Sequence, residues 1–255
     1  MIEKVVLIGA GNVATYMGIA LQSCGIVIEY VYSQSLDSAR ILGEQLNTKY
    51  SNNLLDLPKS SDLYVIAISD DAIKGLAGKM DVAGLVVHTS GTLDLDEISI
   101  FSEAGVFYPL QSFSKGNPLQ NNEFPICIET SSSGDKAALK ELASKLVGSQ
   151  SVYELNSKQR KAVHLAAVFA SNYSNYMYQI AEDLLKREDL NLDILRPLIV
   201  ETAEKVKRMS PKEAQTGPAK RGDTKIMEQH KQKLESDPDY KKLYELISES
   251  IVKRN

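Results

Sequence analysis

Gly9-Ala10-Gly11-Asn12-Val13-Ala14 lies between an apolar run and a stretch with helical spacing. In that setting Gly9 allows a tight turn, Gly11 lets a pyrophosphate approach the backbone, and Ala14 lets helix and strand pack closely. The helix start at Asn12 and Val13 offers unpaired N–H groups and a positive dipole end to an anion. The predicted chemistry is dinucleotide binding, with Gly9, Ala10, Gly11, Asn12 and Val13 around the phosphates.

The second β-type run ends in Tyr32-Ser33-Gln34-Ser35. A site for NAD usually carries Asp or Glu at that point, accepting from the ribose hydroxyls. Here there is none. Ser33, Ser35 and the next helix start suit a 2′-phosphate, with Arg40 one turn further on. The expected cofactor is therefore NADP, with NAD less favoured. Gln34 stands where an arginine would clamp the phosphate.

Ligands of such sheets lie beyond the carboxyl ends of the strands. Two turns are expected there. In Ser69-Asp70-Asp71, Ser69 can line the cofactor and Asp70 reads most simply as a helix N-cap. In His88-Thr89-Ser90-Gly91, Ser90 offers a hydroxyl and an N–H, and His88 could donate a proton to a reduced carbonyl or imine. A histidine bonded structurally at a strand end is the alternative.

From Ala162 to Ala181, twenty residues pass without one Asp, Glu, Lys or Arg. That is ~30 Å of helix. At ~100° per residue, His164, Ser171 and Asn175 fall within about 40° of one another. This stripe would face a cleft or a partner, with the helix buried all round, between subunits or under the cofactor domain. His164 is either an interface residue or the acid facing the nicotinamide. The "TGPAKRGD" stretch (216–223) reads as a loop in which Arg221 could hold a substrate carboxylate. Asp223 there is explained by helix capping alone. Of the three histidines, His230 reads as a solvated side chain. No metal-ligand cluster and no Ser-His-Asp arrangement stands out.

Strands are expected at Val5–Ile8, Ile26–Tyr32, Leu63–Ile68, Leu85–His88, Val106–Tyr108, Ile126–Glu129 and Val152–Leu155, with a weaker one near Lys49–Ser51. Helices are expected at 12–24, 36–46, 71–79, 94–103 and 134–147. Alternation of this kind predicts a mostly parallel sheet covered on both faces. After about residue 155 the β signals stop. Asn156 is the expected N-cap of a long helix to about Arg187. Another helix runs from about Asp193 to Met209, and Ser210-Pro211-Lys212-Glu213 forms a capping box. Asp223 and Asp237-Pro238 start the last two helices. The expected fold class is α/β, a Rossmann-type mostly parallel sheet followed by an all-α C-terminal domain. Residues 1–155 would bind the dinucleotide, and residues 156–255 would form a helical dimerisation and substrate domain.

The chain has 255 residues, 43% hydrophobic and 24% charged, with a net charge of −4, which suits a globular protein with a proper core. No segment is basic enough for a nucleic-acid footprint. No stretch reaches the ~18 uninterrupted apolar residues of a bilayer span, and the N-terminal run is no signal peptide. Cys24 and Cys127 are read as free thiols of a reducing cytosol. A cytoplasmic homodimer acting on a small molecule is expected, with no nucleic-acid or membrane partner.

Five stretches carry a resemblance: "GAGNVA", "VVHTSGTL" (86–93), "FYPLQSFS" (107–114), "HLAAVFASNY" (164–173) and "TGPAKRGD". On them the chain resembles the uncharacterised NADP-oxidoreductase-like proteins that join a Rossmann-like domain to a helical C-terminal domain of unknown function. More distantly it is similar to pyrroline-5-carboxylate reductase and the β-hydroxyacid dehydrogenases. The resemblance implies a Rossmann sheet, a helical dimerisation domain and a cofactor cleft between them. The β-hydroxyacid dehydrogenases place a catalytic lysine on the long helix with asparagine one turn later. Here Leu165 follows Lys161 at that spacing, so the pair is not reproduced. The expected function is an NADP-dependent oxidoreductase acting on a small carbonyl or imine of the keto or imino acid kind. The alternative is a non-catalytic NADP(H)-binding sensor or interaction protein.

Overall fold

The computed structural model describes residues 1–114 and 123–254. The chain divides into two compact units, Met1–Asn172 and Tyr173–Asn255.

The first unit is built on β1 (Lys4–Ile8), β2 (Val27–Tyr32), β3 (Lys49–Ser51), β4 (Ser60–Ile66), β5 (Ala83–His88), β6 (Ala104–Pro109), β7 (Ile126–Thr130) and β8 (Val152–Glu154). They form one sheet in the order β3-β2-β1-β4-β5-β6-β7-β8. Neighbours are parallel except β6 and β7, which run antiparallel. The strand order reverses between β1 and β4, and such a reversal opens a crevice at the carboxyl ends.

The sheet is apolar on both faces because helices cover both. Successive side chains of a strand point to opposite faces. Val5 and Leu7 therefore pack into one cluster with Met17 and Leu21 of α1 (Asn12–Ser23) and Leu139 and Leu142 of α4 (Ser133–Val147). Leu42 of α2 (Leu36–Gln45) belongs to the same cluster. Val6 and Ile8 pack into the other, with Ile73 of α3 (Asp70–Ala77) and with Ile98. The expected helix over 94–103 is only a 3₁₀ turn, Leu95–Ile98.

After β8 comes α5 (Ser157–Ala167). Asn156 caps it through a full capping box, its side chain accepting from Gln159 N while the Gln159 side chain accepts from Asn156 N. The long helix expected to Arg187 is interrupted. A π-helical turn occupies Val168–Tyr173, and α6 (Ser174–Lys186) follows. In the second unit α7 is Arg196–Arg208, and Ser210 makes the expected capping box for α8 (Pro211–Ala214). The loop expected at 216–223 contains a short helical turn, α9 (Pro218–Arg221). Asp223 caps α10 (Thr224–Lys233), and α11 is Pro238–Lys253. His230 is not merely solvated: its Nδ1 lies 3.0 Å from the Tyr244 hydroxyl. No helix among the described residues is long and apolar enough to cross a membrane.

Candidate functional site

At the carboxyl ends of β1, β2, β4 and β5 the first unit opens a cleft of about 790 Å³. Its lining contains every residue singled out for cofactor binding: Gly9, Ala10, Gly11, Asn12, Val13, Ser33, Gln34, Ser35, Ser69 and Ser90. His164 lines it too.

The glycine turn is built as the pattern requires. Gly9 has φ +121°, a region that L side chains rarely adopt, and a Cβ there would run into the Ala67 carbonyl. Its N–H donates to Tyr32 O at 2.8 Å, which ties the turn to the end of β2. Gly11 has ordinary backbone angles, and a Cβ added to it would meet nothing within 4 Å. It is the N-cap of α1, with no side chain closing the helix end and no acidic residue in the first turn. Asn12 is turned away to the Phe113 carbonyl, to which its Nδ2 donates at 2.9 Å. Among the described residues, the uncapped helix N-terminus, the open space at Gly11 and the cleft beside them fit a dinucleotide.

At the other end, the Ser35 side chain caps α2 by accepting from Ser38 N. Ser38 joins Ser33, Gln34 and Ser35 in the lining. Among the described residues no Lys or Arg belongs to the lining. Arg40 is held on the surface of α2 by Glu44 at 3.1 Å.

Ser69 occupies the N-cap position of α3 but makes no capping bond. The expectation that Asp70 caps this helix is corrected: its carboxylate accepts from Ser90 Oγ at 2.9 Å and from Thr92 Oγ1. Ser90 Oγ in turn accepts from the N–H groups of Thr92 and Leu93, each at 3.0 Å. Asp70 thus shapes the turn after β5 from across the cleft.

His88 and His164 part company. His88 is wholly buried, does not line the cleft, and its Nδ1 accepts from Ser90 N at 3.2 Å. Burial, seconded by the nearby Arg160 charge, pushes its pKa down to about 4. His164 sits at the cleft wall, its Nδ1 3.0 Å from the Tyr108 hydroxyl. Ser171, expected on the same stripe, is exposed and outside the lining. The π-helical turn breaks the 3.6-residue phase on which that alignment rested. Nor is this helix buried all round within the chain, since Leu165 and Phe169 are exposed.

Sequence reasoning missed the group that places His164. Arg160, one turn earlier on α5, is buried and ion-paired with Glu129 of β7, and it also donates to the Leu93 carbonyl. Ser157 donates to Glu129 through both its N–H and its hydroxyl, each at 2.9 Å. Lys161 pairs with Asp94 at 2.7 Å. Tyr108, Thr89 and Thr92 of the lining were missed as well. Arg221 lies exposed at the end of α9 in the second unit. Among the described residues no group of His, Cys, Asp and Glu could hold a metal ion.

The fold and cleft define a Rossmann-type α/β protein with a helical C-terminal unit. The model of a domain of unknown function, DUF2520, matches residues 124–251. Among solved structures, the putative NADP oxidoreductase of Bacteroides fragilis is 40% identical over 99% of this chain and 98% of its own, with a TM-score of 0.89. The chain belongs to the NADP-oxidoreductase-like family in which a Rossmann-type sheet is joined to DUF2520. A Thermotoga maritima protein is 24% identical over 97% of this chain and 96% of its own, with a TM-score of 0.72. Pyrroline carboxylate reductase of Plasmodium falciparum, solved with NADP bound, is 14% identical over 100% of this chain and 98% of its own, with a TM-score of 0.63. These last two share the fold. No curated protein matches the chain significantly.

Proposed function

We propose that this protein is an NADP-dependent oxidoreductase that moves a hydride between the nicotinamide and a small carbonyl or imine compound. One observation carries the reading. The glycine turn, the serines after β2 and the Thr89–Gly91 turn line a single cleft with His164. The kinship with the Bacteroides fragilis protein supports it. NADP, when bound, supplies the hydride chemistry.

The chain's own residues do the rest. Backbone N–H groups at Gly11, Asn12 and Val13 hold the pyrophosphate at the N-terminus of α1. Ser33, Gln34, Ser35 and Ser38 take the ribose end, and the absence of a carboxylate there favours NADP over NAD. His164 holds a proton at the cleft wall. His88 is too deeply buried to exchange one with a ligand and serves the turn instead. Arg221 is the candidate for gripping a substrate carboxylate. Residues 1–155 serve as the dinucleotide-binding domain, and residues 156–255 bind substrate and pair two copies of the chain. Exposed Leu165 and Phe169 on the helix after β8 are apolar surface that such pairing would cover.

The deciding experiment is titration with NADPH and NADH, read by nucleotide fluorescence, followed by a panel of keto and imino acids. Micromolar NADPH binding, much weaker NADH binding and NADPH consumption with a panel member are expected. Binding without turnover across the panel favours the non-catalytic sensor. Binding of neither nucleotide overturns both readings.

A further inference from the structure

The cleft wall holds a hydrogen-bonded pair, Tyr108 and His164. Tyr108 projects from β6 and His164 from α5, and their rings stand 6.0 Å apart at 58°, with the phenol oxygen 3.0 Å from Nδ1. The pair closes over Gly91. A Cβ at that position would stand 2.5 Å from His164 Nδ1 and 2.8 Å from Tyr108 Cζ. The third residue of the turn after β5 is thus a glycine because the pair occupies the space a side chain would take.

The direction of the hydrogen bond follows from counting partners. Burial raises the Tyr108 pKa to about 12, so the phenol keeps its proton in neutral solution. Among the described residues that proton has one acceptor within reach, His164 Nδ1. If Nδ1 carried the proton instead, the phenol oxygen would accept from it and the O–H would exchange its one protein acceptor for cleft solvent.

We propose that Tyr108 is a positioning residue for His164: its O–H donates to Nδ1 and fixes the neutral imidazole with its proton on Nε2. This deepens the oxidoreductase reading, on which its use of His164 rests, by naming the atom that His164 engages. A fixed Nε2–H needs an acceptor with a lone pair. A carbonyl oxygen or an unprotonated imine nitrogen supplies one. A protonated iminium nitrogen has none, so the site selects neutral carbonyl or imine compounds over iminium ions.

The test is long-range ¹H–¹⁵N correlation of the His164 ring in the full chain, with and without NADPH. Nδ1 should appear unprotonated and Nε2 protonated in the unmodified protein. Tyr108→Phe removes only the hydroxyl and should give a mixture of tautomers, with NADPH affinity kept within about twofold. Gly91→Ala, which forces the rings apart, should give the same loss of tautomer preference. With any panel compound that turns over, Tyr108→Phe should lower kcat at least tenfold and leave KM for NADPH unchanged. A proton on Nδ1 in the unmodified protein overturns the proposal, and so does a His164 spectrum that Tyr108→Phe leaves unaltered. The nitrogen spectrum needs no turnover. An inactive protein with the expected tautomer would therefore sink the oxidoreductase reading and leave the pair intact.

Discussion

Glu129 receives the Arg160 guanidinium inside the first unit, where only 1% of the arginine side chain is exposed. The pair fastens the start of α5 to β7, and through the Leu93 carbonyl it also holds the segment after the His88–Gly91 turn. His164 lies one helical turn further along the same face. Removing one partner strands the other charge, at a cost of about 3 kcal/mol or more. Arg160→Met should lower the urea midpoint accordingly. Adding Glu129→Gln should restore part of the loss, because the stranded charge is gone. A single variant as stable as the parent would show that the pair does not hold the helix.

Gly9 and Gly11 are two residues apart and should respond oppositely to alanine. Gly9→Ala puts a Cβ into the Ala67 carbonyl at a positive φ, so it should destabilise the fold by about 2 kcal/mol or more. Among the described residues, Gly11→Ala meets no atom within 4 Å. Its melting temperature should fall much less than that of Gly9→Ala, by no more than the modest loss of a helix N-cap, while NADPH binding should weaken about tenfold, roughly 1.4 kcal/mol, as the methyl group enters the phosphate site. Thermal melts and titrations on both variants check the pair. Unchanged NADPH affinity in Gly11→Ala would remove the phosphates from this turn.

The sheet was legible because its strands are short apolar runs bounded by turn residues, and all eight expected strands are present. The phosphate turn was legible because its chemistry is local, set within a few residues of chain. Tyr108, Arg160 and Glu129 were not. Each belongs to a different element, and nothing in local spacing tells that β6, β7 and α5 bring them together. The polar stripe on the long helix failed for another reason. Its phase assumed an unbroken α-helix, and the π-helical turn at Val168–Tyr173 resets it.

His88 gives the protein a pH dependence with a definite sign. Burial holds its pKa in the folded chain down to about 4, below the ordinary imidazole value of 6.5, so the unfolded chain binds its proton first as pH falls. The stability due to neutral, buried His88 is complete above about pH 6.5 and is lost progressively toward pH 4. By linkage the full loss approaches about 3 kcal/mol. His88→Asn can still accept from Ser90 N but cannot take up a proton. Urea midpoints between pH 4.5 and 7.5 should fall more steeply for the parent than for His88→Asn. Parallel curves would mean that His88 is not the residue that titrates.

Among the described residues the ribose end of the cleft holds serines and Gln34 but no Lys or Arg in its lining, and Arg40 is engaged with Glu44. A 2′-phosphate bound there is held by neutral donors and by the start of α2, each weaker than a guanidinium fork. Gln34→Arg should therefore tighten NADPH about tenfold, the ~1.5 kcal/mol of one charge-assisted bond, and leave NADH nearly unchanged. The gain should shrink as salt rises, since the new contact is between charges near solvent. Fluorescence titration of both nucleotides at low and high salt reads all of this. An equal gain for NADH would place the 2′ position away from Gln34, and the preference for NADP would then have to come from some other part of the chain.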